Sequence, residues 1–226
     1  MNHHRSPVEA NDAPRTTWAS FHSPAALARL LVTATVGLAL DLATKVWAFE
    51  RLSYNQVTTP EGATQVQSHT YFFIPGWLHF HVTGNHGAVF GMGQGQRWWF
   101  VAVSVMAVGF LLYLFATSSP TQRFYQLVIG MLMAGVLGNL YDRLFYGYVR
   151  DMIYMLPGRT WPAWLADALP ESWEWTRGPV FPWIFNVADA LLCTGVALMV
   201  GYNVVMHRRA KNAKAEPRTG LTAVES

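Results

Sequence analysis

Charged residues are scarce in this chain of 226 residues: aspartate, glutamate, lysine and arginine make up 13% of it, whereas hydrophobic residues make up 52%. A soluble domain of this size carries about a quarter charged residues. The composition therefore indicates a membrane protein with one compact domain. The net charge is only +3 and no dense basic stretch crosses the middle of the chain, so we expect no nucleic-acid partner.

Cysteine is nearly absent, because Cys193 is the only one and lies in an apolar run. An internal disulfide is thereby excluded, and we expect a buried thiol rather than a reactive one. We also expect no secretory signal, since the first apolar stretch contains Asp41 and Lys45 and has no small-residue cleavage site. We expect residues 1–24 to form a disordered tail, 25–206 a single membrane domain and 207–226 a basic, flexible tail.

Four apolar segments have about the length that a helix needs to cross a bilayer. They cover about residues 30–49, 98–117, 124–140 and 183–206. An even number of spans places both tails on one side. The larger share of Lys and Arg lies in the tails and the short turn between the second and third spans, so we expect both termini to be cytoplasmic.

The two longer connections then lie outside the cytoplasm. In the first, residues 65–73 and 77–83 are rich in aromatic and β-branched residues and are separated by Pro75-Gly76, which predicts two short strands. The second connection, 142–182, carries four tryptophans, which is typical of a loop that lies in the headgroup layer. The fold class predicted is an all-α membrane protein of four transmembrane helices with a small extracytoplasmic antiparallel β-sheet and an interfacial loop.

Two aspartates, Asp151 and Asp189, occupy positions where charge is costly: one follows the third span and the other lies within the fourth. Ionisable side chains at membrane depth usually mark function. Two carboxyls held together can share one proton, which is the chemistry of aspartic proteolysis. The predicted orientation brings both aspartates to the outer leaflet, together with polar residues from three spans.

Several neighbouring motifs allow more than one interpretation. Asp41 and Lys45 are four residues apart on one helix and can pair, either to brace the site or to act in catalysis. Asp142 and Arg143 could form a helix-end ion pair or belong to the site, where Asn139 suits hydrogen bonding to a peptide backbone.

Histidines and glycines add little on their own. The stretch 84–91, with Asn85, is equally typical of a functional loop and of an ordinary turn. His79 and His81 share a strand face, but they lack companion ligands at metal-site spacing, so we expect no metal.

Five blocks together resemble the lipoprotein signal peptidases of bacteria, also called signal peptidase II. They are D-x-x-T-K at 41–45, I-P-G-x-L at 74–78, N-x-G-A-x-F at 85–90, G-N-x-x-D-R-x-x-x-G-x-V-x-D at 138–151 and F-N-x-A-D at 185–189. Their order, spacing and membrane context make the resemblance specific. It covers about residues 38–198, nearly all of the membrane part.

The resemblance implies an aspartic endopeptidase of the bacterial inner membrane that uses no metal and no cofactor. Its substrates would be prolipoproteins, cut immediately before a cysteine that already carries diacylglycerol, and we expect a monomer that contacts membrane lipid. The implied roles are catalytic for Asp151 and Asp189, substrate-binding for Asn85, Asn139, Arg143 and Asn186, and supporting for Asp41, Lys45 and Asp142.

Two features depart from the family pattern: the segment 157–182 is longer and rich in Trp and Pro, and Phe90 is followed by glycine. The longer segment affects access to the site more than its chemistry. Two alternatives stay open on the sequence alone, a non-catalytic lipoprotein-binding relative and a small proton-coupled membrane transporter.

Overall fold

The computed structural model of the chain describes residues 18–58, 64–87, 96–170 and 172–215. Most of the predicted N-terminal tail, residues 88–91 of the glycine-containing motif and the end of the C-terminal tail therefore lie outside the described residues.

Four long helices, α1 (Pro24–Leu52), α2 (Arg97–Thr117), α3 (Arg123–Phe145) and α5 (Val187–Ala215), form the frame of the protein. All four are long and apolar enough to cross a membrane, which confirms the four predicted spans. Helix α1 begins sharply because Pro24 occupies its first turn and the Ser23 hydroxyl accepts the Ala26 N–H.

The bounds of three spans differ from the prediction by several residues, and α1 already begins at Pro24 rather than near residue 30. Helix α3 continues to Phe145, so Asp142 and Arg143 lie within it rather than at its exit. Helix α5 begins at Val187, because residues 184–185 pair in a strand, and it runs to Ala215. The predicted start at residue 183 is therefore wrong, and the helix extends into the region expected to be a flexible tail.

Helix α3 is central, because α1, α2 and α5 all pack against it. Small residues allow the close approach: a Cβ on Gly37 would lie 2.7 Å from the Ala134 Cβ, and one on Gly130 would lie 2.8 Å from the Thr33 Cβ. The Gly130–Ala134–Gly138 stripe thus packs on its neighbours as the spacing predicts. One buried cluster joins α1, α2 and α3 around Ile129 and Phe115, while the outer helix faces expose apolar side chains suited to lipid.

Within the described residues, six strands form two antiparallel sheets at one end of the helices. Strands β1 (Ser53–Thr58) and β2 (Thr64–Ser68) pair with each other, and a four-stranded sheet has the order β3-β4-β5-β6. Its strands are β3 (Tyr71–Ile74), β4 (Leu78–Asn85), β5 (Val149–Met155) and β6 (Ile184–Phe185).

The first connection contains more strands than predicted, since the expected strand at 65–73 is divided between β2 and β3. Strand β5 was not predicted. It leaves α3 and pairs with β4, so that Asp151 lies opposite Thr83. Strand β6 pairs with β5 and leads directly into α5, so the sheet fixes where that helix begins.

The described part of the connection from β5 to β6 contains a short α-helix, α4 (Ala163–Ala168), and a 3-10 turn at Glu174–Thr176. Trp164 is 72% exposed, and the ring of Trp161 packs edge-on against Trp175. The Arg159 guanidinium stacks over Trp77 at 5.4 Å, which holds this connection against the turn between β3 and β4. A position in the headgroup layer remains a prediction for this loop.

Candidate active site

Strand β5 carries Asp151, whose side chain is 1% exposed. Its two oxygens accept hydrogen bonds from two amides: Oδ2 from Asn85 Nδ2 at 3.1 Å and Oδ1 from Asn186 Nδ2 at 2.6 Å. Burial raises the pKa of Asp151 to about 8, and the neighbouring Asp189 raises it further, whereas the two amides and Lys45 oppose the shift. A carboxyl with this pKa keeps its proton at neutral pH.

Helix α5 presents Asp189 in its first turn through a capping box. The Asp189 N–H donates to Asn186 Oδ1 at 2.9 Å, and the Asn186 N–H donates back to Asp189 Oδ2 at 3.3 Å. The other oxygen, Oδ1, accepts from Asn139 Nδ2 on α3 at 2.7 Å. Both oxygens of Asp189 are therefore oriented before any substrate arrives.

Asn186 joins the two aspartates. Its side-chain amide donates to Asp151 Oδ1 and, at 3.2 Å, to Asn139 Oδ1, while its backbone N–H holds Asp189. One residue thus contacts both carboxyls, which lie together on the wall of one cavity. The predicted convergence of Asp151 and Asp189 is seen in the structure, although their roles remain a proposal.

Behind the aspartates lies a fully buried ion network. Lys45 Nζ is 2.8 Å from Asp41 Oδ2, 3.0 Å from Asp142 Oδ2 and 3.2 Å from Asn139 Oδ1. Asp41 Oδ1 also accepts the backbone N–H of Ala188 at 2.8 Å, in the first turn of α5. The expected Asp41–Lys45 pair is present, and it ties α1 to both α3 and α5.

One of the two interpretations of Asp142 and Arg143, that they form a helix-end ion pair with each other, is wrong. Asp142 instead binds Arg150, through Nε at 2.9 Å and Nη2 at 2.8 Å, because β5 turns back along α3. Sequence reasoning missed Arg150, which has no regular spacing from Asp142. The nearest signal was its position directly before Asp151.

A cavity of about 990 Å³ opens beside the aspartates. Asn85, Asn139 and Arg143 lie on its polar wall, and Arg143 donates to the carbonyls of Gly87 and Asn139, each at 3.4 Å. Its apolar wall comes from α2 and α5, including Phe100, Val103, Ala107, Leu192 and Cys193. The prediction of a buried Cys193 is wrong, because its side chain is exposed along this wall.

Of the predicted substrate-binding residues, Asn85, Asn139 and Arg143 line the cavity. Asn186 is instead fully buried and contacts both aspartates, and the predicted supporting residues also lie behind the cavity. The two histidines serve the sheet instead: His79 Nε2 accepts from the Gly76 N–H, and the His81 ring is 3.0 Å from the Thr70 hydroxyl. Among the residues that the structure describes, no group of three His, Cys, Asp or Glu side chains is placed to hold a metal ion.

Comparison with known proteins identifies relatives across most of the chain. The family model described as signal peptidase (SPase) II matches residues 33–205. The chain is 31% identical over 173 residues to the lipoprotein signal peptidase of Streptococcus pyogenes serotype M6, covering 76% of this chain and 91% of the relative. It is 35% identical over 163 residues to that of Clostridium novyi, covering 72% and 88%.

Solved structures agree on the fold. A bacterial membrane enzyme determined by the in meso method at 2.3 Å aligns with a TM-score of 0.58 and 23% identity, over 84% of this chain and 93% of that one. A second bacterial membrane enzyme structure, at 1.9 Å, aligns with a TM-score of 0.55 and 25% identity, over 76% and 89%. Taken together with the family match, these likenesses show that the chain belongs to the signal peptidase II family of bacterial membrane peptidases.

Proposed function

We propose that the protein is an aspartic endopeptidase that removes signal peptides from prolipoproteins, cutting before the diacylglyceryl-modified cysteine, with Asp151 and Asp189 as its catalytic pair. The observation that carries the proposal is that Asn186 binds both carboxyls on the wall of one large cavity. Membership of the signal peptidase II family and relatives named lipoprotein signal peptidase support the reaction and the substrate class.

The chemistry follows from a pair that holds one proton. Because the pKa of Asp151 is about 8, this carboxyl carries a proton at neutral pH, and the proposed mechanism has the pair share that one proton. The ionised carboxylate takes a proton from water as the water attacks the scissile carbonyl, while the carboxylic acid donates a hydrogen bond to the carbonyl oxygen. The roles then exchange, and the leaving amine receives a proton as the peptide bond breaks.

Substrate contacts divide between the two walls of the cavity. Asn85 and Asn139 offer amides and Arg143 offers a guanidinium, which suit the backbone of an extended peptide and add no titrating carboxylate. Asn186 is fully buried, and its amide holds Asp151 and Asn139 rather than the peptide. The apolar wall between α2 and α5 lets the diacylglyceryl chains remain in the bilayer while the peptide enters the polar side. All of these groups come from a single chain, which agrees with a monomeric enzyme.

The two ends of α5 support the orientation in the membrane. Asp189 lies in its first turn, and Arg208, Arg209 and Lys211 lie near its other end. Basic residues favour the cytoplasmic side, so the active site lies towards the outer leaflet of the bacterial inner membrane, with both termini in the cytoplasm. The interfacial loop and the sheets then lie outside the cytoplasm.

The test is cleavage of a purified diacylglyceryl-modified prolipoprotein in the presence of a metal chelator. We expect mass spectrometry to find a product that begins at the modified cysteine, and much slower cleavage of the unmodified precursor. Asp151→Asn and Asp189→Asn should each lower kcat by about 10⁴-fold, as loss of a catalytic carboxylate does elsewhere. The matched control Asp167→Asn, at an exposed position of α4, should keep full activity.

Two results would contradict the proposal. Appreciable cleavage by either catalytic variant would exclude the aspartic pair. An intact substrate that binds the wild-type protein without being cut would instead favour a non-catalytic lipoprotein-binding relative.

A further inference from the structure

Arg150 is the residue directly before Asp151, and its side chain is only 3% exposed. Successive residues of a strand point to opposite faces. Asp151 accordingly lines the large cavity, whereas Arg150 lines a separate pocket of about 340 Å³ near the end of α1. Arg150 therefore does not face the proposed peptide site.

Asp142 receives three hydrogen bonds from Arg150. The backbone N–H donates to Oδ2 at 2.9 Å, and guanidinium Nε and Nη2 donate to Oδ1 at 2.9 and 2.8 Å. The guanidinium also stacks over the Tyr146 ring, 4.0 Å from its centroid. Both the main chain and the side chain of this strand position are thus fastened to one carboxylate of α3.

Asp142 lies three residues after Asn139, on the same face of α3. Asn139 orients Asp189, and Asp142 holds the strand that carries Asp151. We infer that Arg150 is a positioning residue for proteolysis, which keeps Asp151 in register with Asp189 by fastening β5 to α3. This inference rests on the proposed function.

Charge balance gives Arg150 a second effect on the pair. The buried carboxylates of Asp41 and Asp142 are matched by Lys45 and Arg150. If Arg150 were replaced by an uncharged residue, Lys45 would be the single cation between the carboxylates of Asp41 and Asp142. Lys45 would then be drawn away from Asn139 and towards Asp142. Lys45 lowers the pKa of Asp151, so its displacement would raise that pKa.

Substitution of Arg150 leaves the chemical identity of the other charged or titratable groups around Asp151 unchanged. They come from β5 and the elements packed against it, namely Asp41 and Lys45 of α1, His86 after β4, Asp142 and Arg143 of α3, Tyr148 directly before β5 and Asp189 of α5. A shift of the pH profile in an Arg150 variant can therefore be assigned to the lost guanidinium and the response of Lys45.

The experiment compares Arg150→Met and Arg150→Lys in cleavage of diacylglyceryl-modified prolipoprotein across pH. For Arg150→Met we expect kcat to fall by about 100-fold through misplacement of Asp151, with KM within about twofold. Its pH–rate profile should also move to higher pH. Arg150→Lys restores the charge, so the profile should return to its wild-type position while kcat recovers only in part. The control Arg159→Met, at an exposed guanidinium, should leave kcat and pH profile unchanged.

A wild-type kcat and pH profile in Arg150→Met would overturn the inference. If that variant does not fold, Arg150→Lys decides: a wild-type kcat there would also overturn it, because one ammonium cannot reproduce the two guanidinium contacts.

An independent measurement separates this inference from the proposed function. The infrared carboxylic-acid band that Asp151→Asn removes should titrate at higher pH in Arg150→Met, whether or not the wild-type protein cuts a prolipoprotein. An unchanged titration would refute the effect of Arg150 on Asp151, whereas failure of wild-type cleavage would refute the proposed function alone.

Discussion

Substitution of Asn186 tests how the two aspartates are held. In Asn186→Ala the helix cap of α5 is lost, which costs about 1 kcal/mol. The hydrogen bond from Nδ2 to the buried Asp151 is also lost, which costs about 1–3 kcal/mol. We therefore expect the free energy of unfolding to fall by about 2–4 kcal/mol and kcat to fall by about 100-fold, because Asp151 is no longer oriented.

Asn186→Ser separates the two contributions. A serine hydroxyl can still cap α5, but it cannot reach Asp151 as the amide does. We expect it to recover about 1 kcal/mol of stability relative to Asn186→Ala, seen as a Tm about 2–4 °C higher, with kcat still low. Asn203→Ala, at an exposed position of the same helix, is the control for the loss of an asparagine. A serine variant with wild-type kcat would refute the role assigned to the amide.

Two further expectations concern packing and pH. Gly138→Ala would place a methyl group against the Asp41 carboxylate and lower stability by about 1–3 kcal/mol, whereas Gly109→Ala, with open space around it, should be neutral or slightly stabilising in thermal unfolding. Because the pKa of Asp151 is raised from 3.8 to about 8, the folded state holds a proton that the unfolded state has released between those values. The contribution of Asp151 to stability should thus be complete below about pH 4 and decline as pH rises towards 8, and Asp151→Asn should remove this decline in Tm measured against pH.

The four helices could be predicted because each is a long apolar run, and length alone distinguishes such a run from a core helix. The residue at which α5 begins could not be predicted from hydropathy. Residues 183–185 are as apolar as the helix that follows, and only pairing of β6 with β5 removes them from it. Hydropathy does not register that pairing.

Strand β5 escaped prediction for a related reason. It follows closely on a helix and pairs with β4, so that Asn85 and Asp151 meet across 66 residues of sequence. Local patterns indicate which aspartates are unusual, but they do not reveal that one lies on a strand. The predicted membrane orientation brought Asp151 and Asp189 to one leaflet, and the resemblance to a family implied that they act as a catalytic pair.

The ion network shows the same limit. Asp41 and Lys45 could be paired from their four-residue spacing on a helix. The partnership of Asp142 with Arg150 depends on the direction in which the chain turns after α3. Helix periodicity cannot predict the direction in which the chain turns after a helix ends.

The central claim, that Asp151 and Asp189 act as one catalytic pair, is tested most directly by a double-mutant cycle on single-turnover cleavage of a diacylglyceryl-modified prolipoprotein. Residues that act as a unit lose their effect together. We predict that Asp151→Asn, Asp189→Asn and the double variant all cleave at the same residual rate. A double variant slower than either single variant by the product of the two losses would show that the carboxyls act independently, and it would contradict the account.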